Sequence, residues 1–158
     1  MRWDLIDGFH SLKRGQHARA FKRFAGTEDF FAEHFPGRAR VPEPLLIEMV
    51  AQTGGVLYGL GLDFAKEVIL AKVDHARFHE VLQPPCGLEV EARIAEEREE
   101  GAWIEGTVFD QSRTVAEIRL LLVAMDGLEE NKKKIVFNDK LLSHYDVYEV
   151  ARRTEAAL

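Results

Sequence analysis

The 158-residue sequence predicts an α+β fold in which an antiparallel sheet wraps around one long central helix. Three observations support this. The stretch Pro44–Leu60 is apolar or small at almost every position, and a helix that is apolar all round is buried. Segments 88–97 and 103–109 alternate apolar and polar residues, which is typical of half-buried strands. Short polar turns separate successive strands, which favours hairpins over strand–helix–strand units.

The elements before the central helix are short. Trp3–Asp7 predicts a short edge strand or a turn, and Gln16–Phe24 alternates in polarity and predicts a strand. Thr27 can cap a short helix that has acidic residues in its first turn and leads into His34. Pro44 is interpreted as the first residue of the central helix, where its missing N–H has no intrahelical partner to lose.

After the central helix the chain is rich in strands. Gly59 and Gly61 are expected to end the helix, and the pair Gly54-Gly55 inside it indicates close approach to the sheet, a partner subunit or a ligand. The segment 76–82 is either a short strand or a continuation of the one before it, stopped by Pro84-Pro85. Strands are predicted at 66–75, 76–82, 88–97, 103–109 and 114–125.

The chain is expected to divide into a domain at residues 1–127 and a C-terminal extension at 128–158. Residues 128–134 are charged, with a lysine run that is most simply a solvated linker. An amphipathic helix is predicted from about Asn138 to Ala157. Its apolar positions are Leu141, Leu142, Tyr145, Tyr148 and Ala151.

Composition restricts the class of protein. The formal net charge is −6, so no basic surplus favours nucleic acid as a partner. Cys86 is the single cysteine and cannot form an internal disulfide. No apolar stretch approaches the roughly 20 residues needed to span a bilayer. A cytoplasmic protein without a membrane span is therefore expected.

Two ionisable residues stand out near the start of the central helix. Glu48 lies within the apolar helix, and Gln52 follows four residues later on the same face. Burial of a carboxylate in an apolar helix destabilises the fold unless the group is paired or protonated, and such a group is often kept for a function. His34 lies just upstream, between aromatic residues and a Pro-Gly turn. An imidazole and a buried carboxyl are the material of general acid–base catalysis.

This pattern resembles the 3-hydroxyacyl-acyl-carrier-protein dehydratases of the hotdog fold. Their motif is two aromatics, two further residues, His-Phe-Pro-Gly, a short spacer, Pro-Gly and a helix reading Leu-x-x-Glu-x-x-Ala-Gln. The matching positions are Phe30-Phe31, His34-Phe35-Pro36-Gly37, Pro42, and Leu45 through Gln52. The resemblance extends more weakly over residues 1–127 and does not cover the extension.

The resemblance implies removal of water from a 3-hydroxyacyl thioester, linked to acyl-carrier protein or coenzyme A. His34 is implied as the base and Glu48 as the acid that protonates the departing hydroxyl. Gln52 would support the carboxyl, and the N–H of Glu43 would bind the thioester carbonyl. Phe35 and Gly37 complete the predicted supporting set, although Phe35 is more readily interpreted as a core residue. No cofactor is implied.

Two positions depart from the family motif. Glu33 stands where glycine usually precedes the histidine, and Glu43-Pro44 replaces glycine after the second proline. An inward-pointing Glu43 carboxylate would disfavour a developing oxyanion. Two alternatives therefore stay open: an acyl thioesterase of the same fold, and a non-catalytic module that binds acyl chains or carriers.

The resemblance also implies that the histidine and the carboxylate come from different subunits. A homodimer paired through edge strands is expected, or a higher assembly such as a trimer of dimers. His75 and His79 are a weak candidate pair for a metal, but no third ligand is evident, so no metal is predicted. Cys86, which has no activating base nearby, is expected to be inert.

Overall fold

The computed structural model describes residues 4–126 and 139–157. The elements in this part of the chain are β1 (Gly8–Lys13), β2 (His17–Phe24), α1 (Asp29–Glu33), α2 (Glu43–Gly61), β3 (Glu67–Phe78), β4 (Cys86–Arg98), β5 (Gly101–Asp110), β6 (Arg113–Met125), α3 (Asp139–His144) and α4 (Val147–Ala156). Among these residues, no helix has the length and apolar character needed to cross a bilayer. The predicted linker 128–134 and Trp3 lie outside the described residues.

The six strands form a single antiparallel sheet in the order β1-β2-β4-β5-β6-β3. Strands β4, β5 and β6 are joined by tight turns and pair as hairpins, as their alternating sequences predict. Strands β1 and β3 are the two edges. The sheet curves around α2, so the predicted α+β architecture with a central helix is confirmed.

Helix α2 lies close to the sheet because small residues face it. A Cβ on Gly54 would lie 2.8 Å from a methyl carbon of Ile104 in β5. On the sheet side, a Cβ on Gly106 would lie 2.3 Å from Cγ1 of Val50. Both distances are below ordinary van der Waals contact, so these positions have no room for a larger side chain. Of the three predicted reasons for Gly54-Gly55, approach to the sheet therefore applies to Gly54.

Several predicted boundaries differ from the structure. Helix α1 begins at Asp29, and its N-cap is Glu28 and not Thr27. Residues 4–7 are not a strand, and β1 begins at Gly8. The Asp7 carboxylate accepts hydrogen bonds from the N–H of Arg23 and the Nζ of Lys22, each at 2.7 Å. Helix α2 starts at Glu43, which makes Pro44 its second residue. Strand β3 is continuous as far as Phe78, so the short segment that begins at residue 76 is its continuation.

The predicted C-terminal helix is two helices within the described residues. Asp146 adopts a left-handed conformation with φ 48° and ψ 38°, which ends α3 and redirects the chain into α4. Of the predicted apolar positions, Tyr148 was wrong, because it is 55% exposed. Leu142, Tyr145 and Ala151 are buried, and Val147 and Val150 complete the buried face of an amphipathic pair of helices. These residues join the same apolar core as α2 and the sheet.

Candidate active site

Glu48 and Gln52 form a defined polar pair on one face of α2. The Nε2 of Gln52 donates a hydrogen bond to Oε1 of Glu48 at 3.0 Å. The Oε1 of Gln52 accepts one from the backbone N–H of Leu5 at 3.1 Å. Because that backbone donor occupies the amide oxygen, the amide nitrogen must face the carboxyl. The orientation of Gln52 is thus fixed by the N-terminal segment, and Glu48 is held in turn.

The pair opens into a cavity of about 320 Å³. Its polar groups are few, and most of its surface is aliphatic, as in pockets that take small organic ligands. One wall is α2, and another is formed by β3 and β6. The lining residues are Asp4, Glu48, Ala51, Gln52, Gly55, Val56, Val68, Ile69, Leu70, Leu122, Leu141 and Tyr145.

His34 is placed in a different environment, at the exposed end of α1. Its backbone N–H donates to the carbonyl of Phe30 at 2.9 Å, and its own carbonyl accepts from the N–H of Arg40 at 3.4 Å. Its ring lies against that of Phe35, with centroids 5.4 Å apart. The backbone around the ring is therefore held, while the ring itself faces solvent.

The turn after His34 requires Gly37. Phe35 and Arg38 exchange backbone hydrogen bonds of 2.9 and 3.3 Å across it. Gly37 has φ of +77°, a conformation that side-chain-bearing residues rarely adopt. Phe35 is 47% exposed, so its interpretation as a core residue was wrong. Its neighbours Phe30 and Phe31 do pack into the core.

Glu43 does not point its charge at the cavity. Its carboxylate lies 3.7 Å from a guanidinium nitrogen of Arg40, and that guanidinium stacks over the ring of Phe35 at 4.5 Å. The Glu43 carboxylate therefore lies beside the Arg40 guanidinium and does not point into the cavity, as the sequence analysis had allowed. The N–H of Glu43 is the first of α2, and the first N–H groups of a helix have no acceptor within it.

Within one protomer, the described residues bring together only part of the predicted site. Glu48 and Gln52 share the cavity, and Phe35, Arg40 and Glu43 share the loop region. The ring of His34 makes no hydrogen bond or ion pair with Glu48 in this part of the chain, and it is not among the residues that line the cavity.

Of the lining residues, only Glu48 and Gln52 were assigned to the site from the sequence. Asp4, Leu141 and Tyr145 are the ones that come from the two ends of the described chain. Each is far in sequence from Glu48, and no local pattern reveals such a contact. The apolar spacing of the C-terminal helix was the available signal. This spacing predicts that Leu141 and Tyr145 face the core, but it does not predict which residues they contact.

Three other residues considered in the sequence, Cys86, His75 and His79, do not line the cavity. Burial, and to a smaller extent the carboxylates of Asp110 and Glu28, raises the pKa of the Cys86 thiol to about 11. Such a thiol is protonated at neutral pH and a poor nucleophile. His79 Nε2 lies 2.8 Å from a carboxylate oxygen of Glu117, and His75 lies 3.5 Å from Asp74. Each histidine is thus paired with a surface carboxylate.

With the geometry in place, the chain can be compared with known proteins. A profile of the FabA-like domain matches residues 3–119. The chain belongs to the FabA-like family. The 3-hydroxyacyl-[acyl-carrier-protein] dehydratase FabZ of Hydrogenobaculum sp. is 33% identical to it over 132 residues, covering 82% of this chain and 88% of that protein. The family predicted from the His34 and Glu48 motif is therefore confirmed.

Solved structures confirm the hotdog fold of this FabA-like chain. The dehydratase heterocomplex ApeI:P from Xenorhabdus doucetiae aligns with TM-score 0.66 and 15% identity, covering 82% of this chain and 86% of that one. A hypothetical thioesterase from Streptococcus pneumoniae, solved with coenzyme A, aligns with TM-score 0.59 and 7% identity, covering 78% and 91%. Because both identities are low, these likenesses concern the fold alone.

Proposed function

We propose that the protein dehydrates 3-hydroxyacyl thioesters to trans-2-enoyl thioesters in the building of acyl chains. The observation that carries this proposal is Glu48, a half-buried carboxyl at the wall of an aliphatic cavity, held by the fixed amide of Gln52. The FabZ relative supports it, because its name states this reaction and because the similarity spans most of both chains.

In the proposed mechanism, His34 removes a proton from the carbon next to the thioester carbonyl. The electrons of that C–H bond form the new double bond as the C–O bond to the hydroxyl breaks. Glu48 donates its proton to the departing hydroxyl, which leaves as water. The N–H of Glu43 stabilises the negative charge that grows on the carbonyl oxygen; one such donor is typically worth about 100- to 1000-fold in rate.

The proposed working site combines two copies of the chain, with His34 from one and Glu48 from the other. The exposed position of His34 supports this arrangement, since the ring is available to another chain. Edge strand β3 also supports it: Leu70 and Val73 are 39% and 37% exposed, and no described segment pairs with its outer edge. An unpaired edge strand exposes backbone N–H and C=O groups with which another chain can pair. A homodimer is the minimum, and a trimer of dimers is compatible with it.

The thioester carrier is proposed to be an acyl-carrier protein or coenzyme A, both of which are negatively charged. The chain is acidic overall, so attraction requires a local cationic surface. Arg38 and Arg40, with the exposed side chains of Phe35 and Val81, line a second depression, which adjoins the loop that carries His34. We place the carrier contact there. A cytoplasmic location is part of the proposal, and the free thiol of Cys86 is compatible with it.

The test has two stages. Purified protein is first assayed with 3-hydroxyacyl thioesters of varied chain length on both carriers, following enoyl formation and free thiol separately. Enoyl product supports the proposal. Free thiol without enoyl product would select a thioesterase instead, and binding without any turnover would select a non-catalytic module.

Subunit mixing then tests the shared site. Differently tagged His34→Ala and Glu48→Gln chains are co-expressed, and the mixed dimer is isolated through both tags. A site built from two subunits leaves one of the two sites intact, so the mixed dimer should have about half of wild-type activity. Each variant homodimer should be inactive. An inactive mixed dimer would place both residues in one subunit.

A further inference from the structure

The helices α3 and α4 lie beyond the part of the chain that matches the family, which ends at residue 119. One residue of α3 and one residue of the turn between the two helices nevertheless line the cavity that contains Glu48. These are Leu141 in α3 and Tyr145 at the break between the two helices. The cavity of this chain therefore has a wall that the shared domain does not supply.

That wall is firmly attached to the domain. Tyr145 is only 7% exposed, and its ring meets that of Phe9 edge-on at 5.7 Å. Further along, the N–H of Leu12 in β1 donates to Oγ1 of Thr154 at 3.0 Å. Because contacts at both ends of α4 tie it to β1, the side chains of the preceding turn have a fixed position against the cavity.

The shape of the cavity follows helix α2. Glu48, Gln52 and Val56 lie at successive four-residue steps on one face, which spans about 12 Å at 1.5 Å per residue. A thioester with its reacting carbons at Glu48 would extend its acyl chain along this face. Val68 and Leu70 bound it on the sheet side, and the C-terminal helices bound it on another.

We infer that α3 and α4 set the length of acyl chain the enzyme accepts, with Leu141 and Tyr145 as the specificity-determining residues. The inference rests on the proposed function, because it assigns the occupant of the cavity as the acyl chain of the thioester. The volume of about 320 Å³ lies at the small end of the range of roughly 300–1000 Å³ for ligand pockets. We therefore expect the wild-type protein to prefer short chains.

The test compares Leu141→Ala and Tyr145→Ala with Tyr148→Ala. Tyr148 is a matched control, because it is an aromatic residue three positions further along that is 55% exposed and contacts Phe64 instead of the cavity. For each protein, binding constants are measured for unreactive acyl thioether analogues of increasing length, alongside kcat/KM for the 3-hydroxyacyl thioesters.

Truncation at Leu141 or Tyr145 should raise the preference for long over short chains by about tenfold or more, the size of effect that one or two methylenes have in an apolar pocket. Tyr148→Ala should leave the preference unchanged. The converse variant, Leu141→Phe, should shift it towards shorter chains. If Tyr145→Ala does not fold, the two Leu141 variants decide the matter, since Leu141 is only partly buried.

An unchanged order of chain lengths in folded Leu141 variants overturns the inference, and so does a wild-type protein that binds no analogue of any length. The two proposals fail in different ways. Length-selective binding that shifts in the variants, with no turnover by any of the proteins, would remove the dehydratase proposal and leave the role of the C-terminal helices standing. Turnover with an unchanged preference for chain length would support the dehydratase proposal and remove the role of the C-terminal helices.

Discussion

The two halves of the candidate site are built in opposite ways. Glu48 lies on the buried central helix, hydrogen-bonded to Gln52, which is itself held by the backbone of Leu5. His34 lies on an exposed loop, where the backbone is held but the ring is not. The carboxyl is positioned by the fold of one chain, whereas the imidazole is positioned on the outside of it.

This difference explains how a site can depend on assembly. A carboxyl that is already oriented needs no partner for its geometry, and the cavity beside it is mostly aliphatic. An exposed imidazole has no fixed direction and becomes useful when another surface packs against it. Changes to the residues that support Glu48 should therefore affect folding and chemistry together, whereas changes on the His34 side should affect chemistry alone.

The largest effect is expected from Glu48→Gln. The amide has nearly the same shape and can still accept the hydrogen bond from Gln52, but it cannot donate a proton as the carboxyl does. Removal of a general acid typically lowers kcat by about 100- to 10,000-fold. Steady-state assays should show this loss while circular dichroism stays unchanged. Glu99→Gln, in the exposed turn between β4 and β5, is the control, and near-normal activity of Glu48→Gln would refute the acid role.

Gly106→Ala is expected to have a smaller effect, which is on stability. It tests whether the close packing of α2 on the sheet holds Glu48 in place. The added Cβ would lie 2.3 Å from Cγ1 of Val50, so helix and sheet must separate. Such overpacking costs about 1–3 kcal/mol, measurable by urea unfolding. Gly87→Ala is the matched control on β4, because nothing lies within 4 Å of its added Cβ.

Adding Val50→Ala to Gly106→Ala sharpens this test. The second change removes the methyl groups that the new Cβ would meet, so the double variant should be more stable than the two separate losses predict. If the losses simply add, the contact between Val50 and the Gly106 position is not what limits the helix position.

The same contrast shows what the sequence could predict. The pairing of Gln52 with Glu48 follows from a four-residue helical spacing, and the strands follow from alternation, so both could be predicted from local pattern. The surroundings of His34 could not. Phe35 has the apolar character of a core residue, yet it is exposed and covered on one side by the Arg40 guanidinium, a contact that depends on how the loop folds back.

Contacts between residues far apart in the sequence could not be predicted either. Leu5 and Tyr145 contribute to the Glu48 environment from opposite ends of the described chain, and a period in the sequence gives the face of an element but not its neighbour. The break at Asp146 was missed for a related reason. Amphipathic spacing continues through it, and only the left-handed backbone shows that two helices are present.

Gln52→Met is expected to have a still smaller effect on stability. The substitution keeps a long unbranched side chain with similar helix propensity. It leaves the N–H of Leu5 and the Glu48 carboxyl without their partner. Loss of such hydrogen bonds at a half-buried position should lower the free energy of unfolding by about 1 kcal/mol. Urea unfolding measures the stability and kcat measures the effect on Glu48. No change in either would show that the fixed amide is unimportant to the carboxyl.

The smallest effect on stability is expected from His34→Ala, and this is the sharpest test of the contrast. Because the ring faces solvent, its removal should change the free energy of unfolding by no more than about 0.5 kcal/mol, even though dehydration is lost. Glu33→Ala, at the exposed neighbouring position, controls for the loop. A loss of stability as large as that of Gln52→Met, measured below the concentration at which chains associate, would mean that the imidazole is already packed within a single chain. The two halves of the site would then be built alike, and assembly would not be needed to orient the base.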